Sequence, residues 1–306
     1  MKKAFIIIFL TLTAAFTPIA ARYAVQQISP LSLAFYRFGL ATLLLLIVFY
    51  VSRKSFKRKN FKIDKKDIPL FLLLGALVIP VNQFFFLYGV KLSTASHSGV
   101  FYACTPLFVF ITSILIKSDK FSAKKLFAIS LSIIGILVIF WEGIFVKPDE
   151  SILIGDILLF LAVFSWSLYL VFSKSMVEKY GTLKTSTIAF IMGMIMFVPV
   201  FLLDTTNTGF ARVTTTGWLA FFHLSVVVAF GGYFIYTYST KIINTSTLTT
   251  LTNTSPIITI VFSWLLLGEE LSSYFMLGAV ITLIGVFIAQ RTTNKIDKSA
   301  LLGTKL

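Results

Sequence analysis

Ten apolar runs, most of them close to bilayer length, take up nearly the whole chain: roughly residues 4–24, 31–51, 68–90, 95–116, 126–141, 152–173, 186–203, 217–240, 245–267 and 274–290. Crossing the hydrocarbon core takes about 20 mostly apolar residues. Each run therefore reads as a membrane helix, and nearly everything else is a short connection. Composition agrees: 57% of residues are hydrophobic, 13% are charged and mean hydropathy is +0.92. Soluble domains carry roughly 25% charged residues. The expected fold class is all-α integral membrane, with lipid as the solvent.

A net charge of +15 in a soluble chain would suggest a nucleic-acid partner, so the location of the charges decides. With both termini cytoplasmic, the inner segments hold 22 of the 27 Lys and Arg, and the outer connections hold Lys91, Lys147 and Arg212. That asymmetry is the positive-inside rule. The loop Ser52 to Asp67 fixes it most strongly, with Arg53, Lys54, Lys57, Arg58, Lys59, Lys62, Lys65 and Lys66. The basic excess reports orientation and anionic lipid, not nucleic acid. The expected location is the inner (plasma) membrane, multi-pass, with both termini cytoplasmic. Met-Lys-Lys, an apolar run and Ala20-Ala21 imitate a signal peptide, but removing that run would break the count of spans. The single cysteine, Cys104, leaves no intrachain disulfide.

Residues 81–140 and 231–290 align at a fixed offset of 150 without a gap. Lys91 falls on Lys241, Pro106 on Pro256, Asp119 on Glu269 and Gly135 on Gly285, and ten of the sixty positions are identical. Ser96 meets Ser246 as well. The weight lies in matched charge, proline and glycine at equivalent places in the apolar runs. Outside this window the repeat is faint, with Arg22 meeting Lys174 only at an offset of 152. Ten spans divide into five and five at Glu142 to Ser151, giving units 1–145 and 146–306. Five is odd, so the second unit enters from the opposite side. The expectation is ten transmembrane helices as two inverted five-helix repeats around a central cavity, an architecture of transporters that work by alternating access.

Proline frees the carbonyl four residues earlier. Pro106 frees that of Tyr102 and Pro256 that of Thr252, and this matched pair is expected to act as soft points. Gly135, Gly193, Gly231, Gly232, Gly278 and Gly285 let helices approach closely, with a cavity lining as the alternative for Gly231-Gly232.

Catalytic patterns are missing. The two histidines, His97 and His223, sit near outer ends of spans, and no HExxH, GxSxG, phosphate loop or cysteine cluster occurs. No enzyme, metal or cofactor is expected. Ionisable residues within spans are functional candidates by cost. Arg22 lies near an outer end, where its stem can snorkel. Arg37 is deeper. Asp156, the only acid within a span, is expected to pair with Arg37 or Arg22, as a structural ion pair or a coupling site. Because little else in the spans titrates, movement down the solute gradient is favoured over proton coupling. Glu269 and Glu270 are read as charges at the N-terminus of the tenth helix.

Uncharged polar and aromatic groups can bind a solute with a smaller desolvation cost. Asn82, Gln83, Tyr102, Trp166, Tyr169, Tyr233, Tyr236 and Asn253 fall at comparable depths, and at the offset of 150 Gln83 meets Tyr233. The alternative is hydrogen bonding between helices, worth about 0.6 to 2 kcal/mol per contact.

Several residues in one order resemble a known family. They are Ser29-Pro30 followed by Arg37, the Gly89 to Ser96 turn leading to Pro106-Leu107, Gly155-Asp156 with Trp166 after it, and Ser255-Pro256 followed by Gly268-Glu269 and Gly278. Together they resemble a drug/metabolite transporter of the EamA type over essentially the whole length. The resemblance implies ten helices, two inverted repeats, a central cavity and a small-molecule solute, an amino acid or related metabolite, with export as the expected direction. Ala14-Ala15 stand in place of the usual tryptophan-glycine, and Asp119 where glutamate is frequent. These departures bear on substrate rather than class. A passive channel or a membrane-embedded enzyme acting on lipid-like substrates remain the alternatives.

Overall fold

Backbone groups in lipid must be satisfied internally, and the apolar runs answer by forming helices. The computed structural model describes residues 2–55, 63–116, 123–146, 148–204, 213–232, 235 and 254–303, with side chains for all but 2–4, 53–55, 125 and 290–303. Among the described residues there is no strand. The helices are α1 (Lys2–Val25), α2 (Pro30–Ser55), α3 (Ile68–Ala76), α4 (Asn82–Leu92), α5 (Ala95–Ala103), α6 (Thr105–Leu115), α7 (Ala123–Trp141), α8 (Glu150–Tyr180), α9 (Thr182–Leu202), α10 (Thr215–Phe222), α11 (Ser255–Leu267) and α12 (Ser273–Gly303). Eight stretches are long and apolar enough to cross a membrane, and Ser255–Leu267 and Ser273–Ala289 are apolar but shorter.

Two of the crossing stretches are composite for a readable reason. Pro80, with no N–H to give, lies in a wide turn, Leu77–Val81, that joins α3 to α4. Pro106 opens α6 and separates it from α5 at Cys104. The carbonyl of Tyr102 that Pro106 frees is taken up by the Thr105 hydroxyl at 2.7 Å. Pro256 likewise stands in the first turn of α11; its carbonyl partner, Thr252, lies outside the described residues. A second wide turn, His223–Gly232, continues α10. Adding 150 to Leu77–Val81 lands inside it.

The packing pairs come in matched sets. The stretch α3–α4 lies on α8 and α9, and α10 with its wide turn lies on α1 and α2. Helix α6 packs on α8 as α11 packs on α1, while α5 meets α11 and α7 meets α12. The α7–α12 seam is packed backbone against backbone. A Cβ on Gly135 would stand 2.5 Å from the Gly278 carbonyl oxygen, and one on Gly285 would stand 2.6 Å from that of Ala128. Those two contacts exchange under the offset of 150. Ser132 Oγ donates to the Thr282 carbonyl at 3.1 Å and Thr282 Oγ1 to the Ser132 carbonyl at 3.4 Å, both residues fully buried. Close approach by small residues is thus the role of Gly135, Gly278 and Gly285, and of Gly193 against Gly75.

Large apolar side chains such as Phe5, Ile47, Leu137, Ile195 and Leu265 cover the outside of the bundle. In water such a surface would be a liability; in lipid it is the expected face. The chain is a multi-pass membrane protein.

Candidate functional site

The polar groups of the bundle interior form one connected chain. Arg37 on α2 is 4% exposed. Its Nε donates to the Leu224 carbonyl at 3.0 Å, its Nη1 donates to Gln83 Oε1 at 3.1 Å, and its guanidinium lies 5.2 Å from the Phe38 ring centroid. Leu224 belongs to the wide turn His223–Gly232. Gln83 Nε2 donates to Asn82 Oδ1 at 2.8 Å. Asn82 Nδ2 in turn reaches the Ala162 carbonyl at 2.7 Å, Ser165 Oγ at 3.3 Å and Tyr102 Oη at 3.4 Å. One chain of hydrogen bonds therefore ties α2, α4, α5, α8 and the wide turn after α10.

Of the residues proposed from the sequence, Asn82, Gln83 and Tyr102 are brought together, with Arg37 at one end of the chain. Trp166 and Tyr169 follow Ser165 on α8, their rings stacked at 5.3 Å between centroids. Tyr169 is buried and Trp166 half-buried. Tyr233, Tyr236 and Asn253 lie outside the described residues. Pro106 acts beside Tyr102 through the break in the helix. Ser165 and the Leu224 carbonyl were missed; a serine one turn below Tyr169 on the same helix was the available signal for the first.

No carboxylate pairs with Arg37 among the described residues. The expected Asp156–Arg37 or Asp156–Arg22 pair does not form. Asp156, 2% exposed, instead receives the Ser93 hydroxyl on Oδ1 and places both oxygens 2.9 Å from His97 Nδ1. Arg22 turns to the C-terminal end of α4, donating through Nη1 to the carbonyls of Val90 at 2.5 Å and Lys91 at 2.6 Å. Cationic groups are favoured at such an end. Glu269 also departs from expectation. It caps α5 rather than its own following helix, accepting from Ala95 N at 2.7 Å, Ser96 N at 2.9 Å and Ser96 Oγ at 2.6 Å. Helix α12 is capped by Ser272, whose hydroxyl accepts from Phe275 N and donates to Glu142. These groups gather at one end of the bundle, called here the Arg22 end. At the other end Lys179 joins Asp64 and Asp67, and Tyr180 donates to Asp67.

A cavity of about 300 Å³ opens between α6, α7 and α8, lined by Leu107, Phe108, Ile111, Ile136, Phe140 and Phe160 among others. It is apolar and separate from the hydrogen-bonded chain.

Apolar helices of this length with a lipid-facing surface define a multi-pass membrane protein by class, and comparison with known sequences gives the family. The EamA-like transporter family matches at residues 1–141 and again at 153–290, so the chain belongs to it. Similar proteins include the uncharacterized transporter YyaM of Bacillus subtilis (strain 168), 26% identical over 88% of this chain and 87% of that one. An uncharacterized transporter of Clostridium kluyveri is 27% identical, covering 96% of this chain and 95% of its own. One of Archaeoglobus fulgidus is 25% identical over 95% and 99%. A solved structure described only as "Crystal structure of protein" superposes with a TM-score of 0.64 at 12% identity, covering 96% of this chain and 98% of the other. That likeness supports the fold.

Proposed function

We propose that this chain is a secondary-type transporter that moves a small metabolite, an amino acid or related compound, outward across the plasma membrane by alternating access. The observation carrying this reading is the chain Arg37, Gln83, Asn82 and Tyr102, which ends on α8 and on the wide turn after α10 and so joins residues on both sides of the 145/146 boundary. A solute with amino and carboxylate groups can exchange hydrogen bonds with such amides and phenols. Arg37 offers the carboxylate a cation that has no described carboxylate partner. Trp166 and Tyr169 supply aromatic faces, where a cation contact is worth about 0.5 to 2 kcal/mol. Tyr233, Tyr236 and Asn253 belong to the same proposal by their place in the sequence.

Ten helices in two inverted units, 1–145 and 146–306, are part of this reading. The two separate matches of the family model support it, as do the paired packing contacts and the Gly135/Gly285 exchange on the α7–α12 seam. Inverted units can trade conformations, which turns one opening into the other. Positive-inside counting places the Arg22 end outside and the termini inside.

Counterflow in proteoliposomes tests the function. Preloaded unlabelled amino acid should drive transient accumulation of labelled amino acid, and the Gln83→Ala variant should need more solute for half-maximal flux. Flux that never saturates and shows no counterflow would make the protein a channel. Orientation is checked by labelling cysteines placed at Lys57 and Lys147: reaction at Lys57 from outside with Lys147 protected would reverse it.

A further inference from the structure

We infer that His97 and Asp156 form a proton-binding site whose occupancy sets whether the Arg22 end of the bundle is closed. The inference rests on the alternating-access reading for its transport consequence but on its own geometry for the site. Asp156 belongs to α8 and His97 to α5, helices on opposite sides of the 145/146 boundary. The carboxylate is almost fully buried, its two oxygens are both 2.9 Å from His97 Nδ1, and the Ser93 hydroxyl completes Oδ1. The imidazole is held flat against Phe275 of α12, with centroids 4.6 Å apart and planes 1° from parallel.

The surrounding charges decide what the pair must carry. Glu142, beyond α7, and Glu269, in the turn after α11, are both acidic, and each already accepts hydrogen bonds, from Ser272 and from Ala95 and Ser96. Arg22 of α1 is aimed at the carbonyls of Val90 and Lys91, and Lys91 itself is exposed. Helix α11 has no charged side chain, and Tyr274 of α12 is exposed. Among the described residues no fixed cation contacts Asp156, and the imidazole is the group in contact that can neutralise it. A buried charge without a counter-charge is strongly disfavoured. The closed pair is electrically neutral when the imidazole carries a proton on both nitrogens, that extra proton coming from water at this face.

Opening the Arg22 end separates α5 from α8 and hydrates both groups. A hydrated imidazole ordinarily loses its proton near pH 6.5. The closed form then binds up to one more proton than the open form. By linkage, acid favours closure and the open fraction rises by up to tenfold per pH unit above that range. The site was hidden from the sequence because Asp156 and the histidine were weighed separately.

A reporter inside the closed end reads this without transport. Ser98 is fully buried beside His97, so Ser98→Cys in a Cys104→Ala background is labelled by a small maleimide only when the end opens. In nanodiscs, its rate divided by that of Glu150→Cys, an exposed reference, removes the pH dependence of thiol chemistry. The ratio should rise at least about fivefold from pH 6 to pH 8 and become flat in both His97→Gln and Asp156→Asn, each first shown to elute as native. A ratio that is flat in the native pair, or that keeps its slope in both variants, overturns the proton site. Counterflow with a flat ratio removes the proton site and leaves the carrier. A sloping ratio in protein that gives no counterflow does the reverse.

Discussion

The α7–α12 seam and the chain running from Arg37 to Asn82 are both buried and both join the two stretches that the family model matches, 1–141 and 153–290, yet they are made of opposite materials. The seam has backbone against backbone, with Gly135, Gly278 and Gly285 leaving no room for a methyl group and two hydroxyls traded between Ser132 and Thr282. Its partners are fixed and every polar group has a local acceptor. The polar chain is built from long side chains and a guanidinium that finds only neutral acceptors among the described residues. A seam of the first kind resists movement because nothing can give. The second kind can hand its hydrogen bonds to a solute, since amides and guanidinium reorient without moving the backbone. On the proposed function, holding the bundle together and contacting cargo are separate jobs, done in separate places.

The sharpest way to break that contrast is Gly135→Val. The added Cβ would meet the Gly278 carbonyl at 2.5 Å and the Thr282 nitrogen at 2.6 Å, besides Thr282 Oγ1. A clash with two backbone atoms of α12 should cost more than about 4 kcal/mol. No monodisperse protein should survive detergent extraction, and recovery of a well-folded variant would show that the seam can open. Next in size is Arg37→Met, which strips Gln83 Oε1 and the Leu224 carbonyl of their donor. Initial transport rate should fall by about thirtyfold, equivalent to about 2 kcal/mol, while the protein still elutes as native. Gln83→Ala should weaken apparent affinity by about tenfold with maximal flux and Tm little changed. If Tm falls while affinity holds, the chain is packing glue and the two regions are alike. The smallest effect belongs to Ser132→Ala, about 0.6 kcal/mol of stability with transport untouched, because the Thr282 carbonyl keeps its helical partner.

Much of the bundle was legible because lipid imposes length and polarity on each span. Asn82, Gln83 and Tyr102 stood out as amides and a phenol at one depth in apolar surroundings, and the structure connects them. Pro106 announced the break in the fourth run and the carbonyl it frees, although not that the neighbouring Thr105 would satisfy it. The partners of Asp156, Arg22 and Glu269 were not legible. A depth estimate places a residue along the membrane normal but not around the bundle, and each of these side chains chose a neighbour set by lateral packing. Asp156 was expected on an arginine because opposite charge was weighed above proximity. Ser132 and Thr282 sit at the repeat spacing yet are not identical, so a count of identities passed over a pair that functions identically.

The wide turn Leu77–Val81 has a consequence for how the residues after it are addressed. An ordinary helix advances by about 100° per residue, and a turn widened to hold one extra residue sets everything beyond it back by about that amount relative to an unbroken helix. Asn82 and Gln83 follow directly, so their heading is set by a counted residue and not by the hydrophobic face of the helix below. Closing the wide turn 77–81 into ordinary helix with every residue kept would leave composition, length and hydropathy as they are. It would also swing the amide of Asn82 about a quarter-turn from the Ala162 carbonyl and point Val81 in its place. The heading of these two amides is therefore encoded as an angle, stored in the backbone upstream of the side chains that use it.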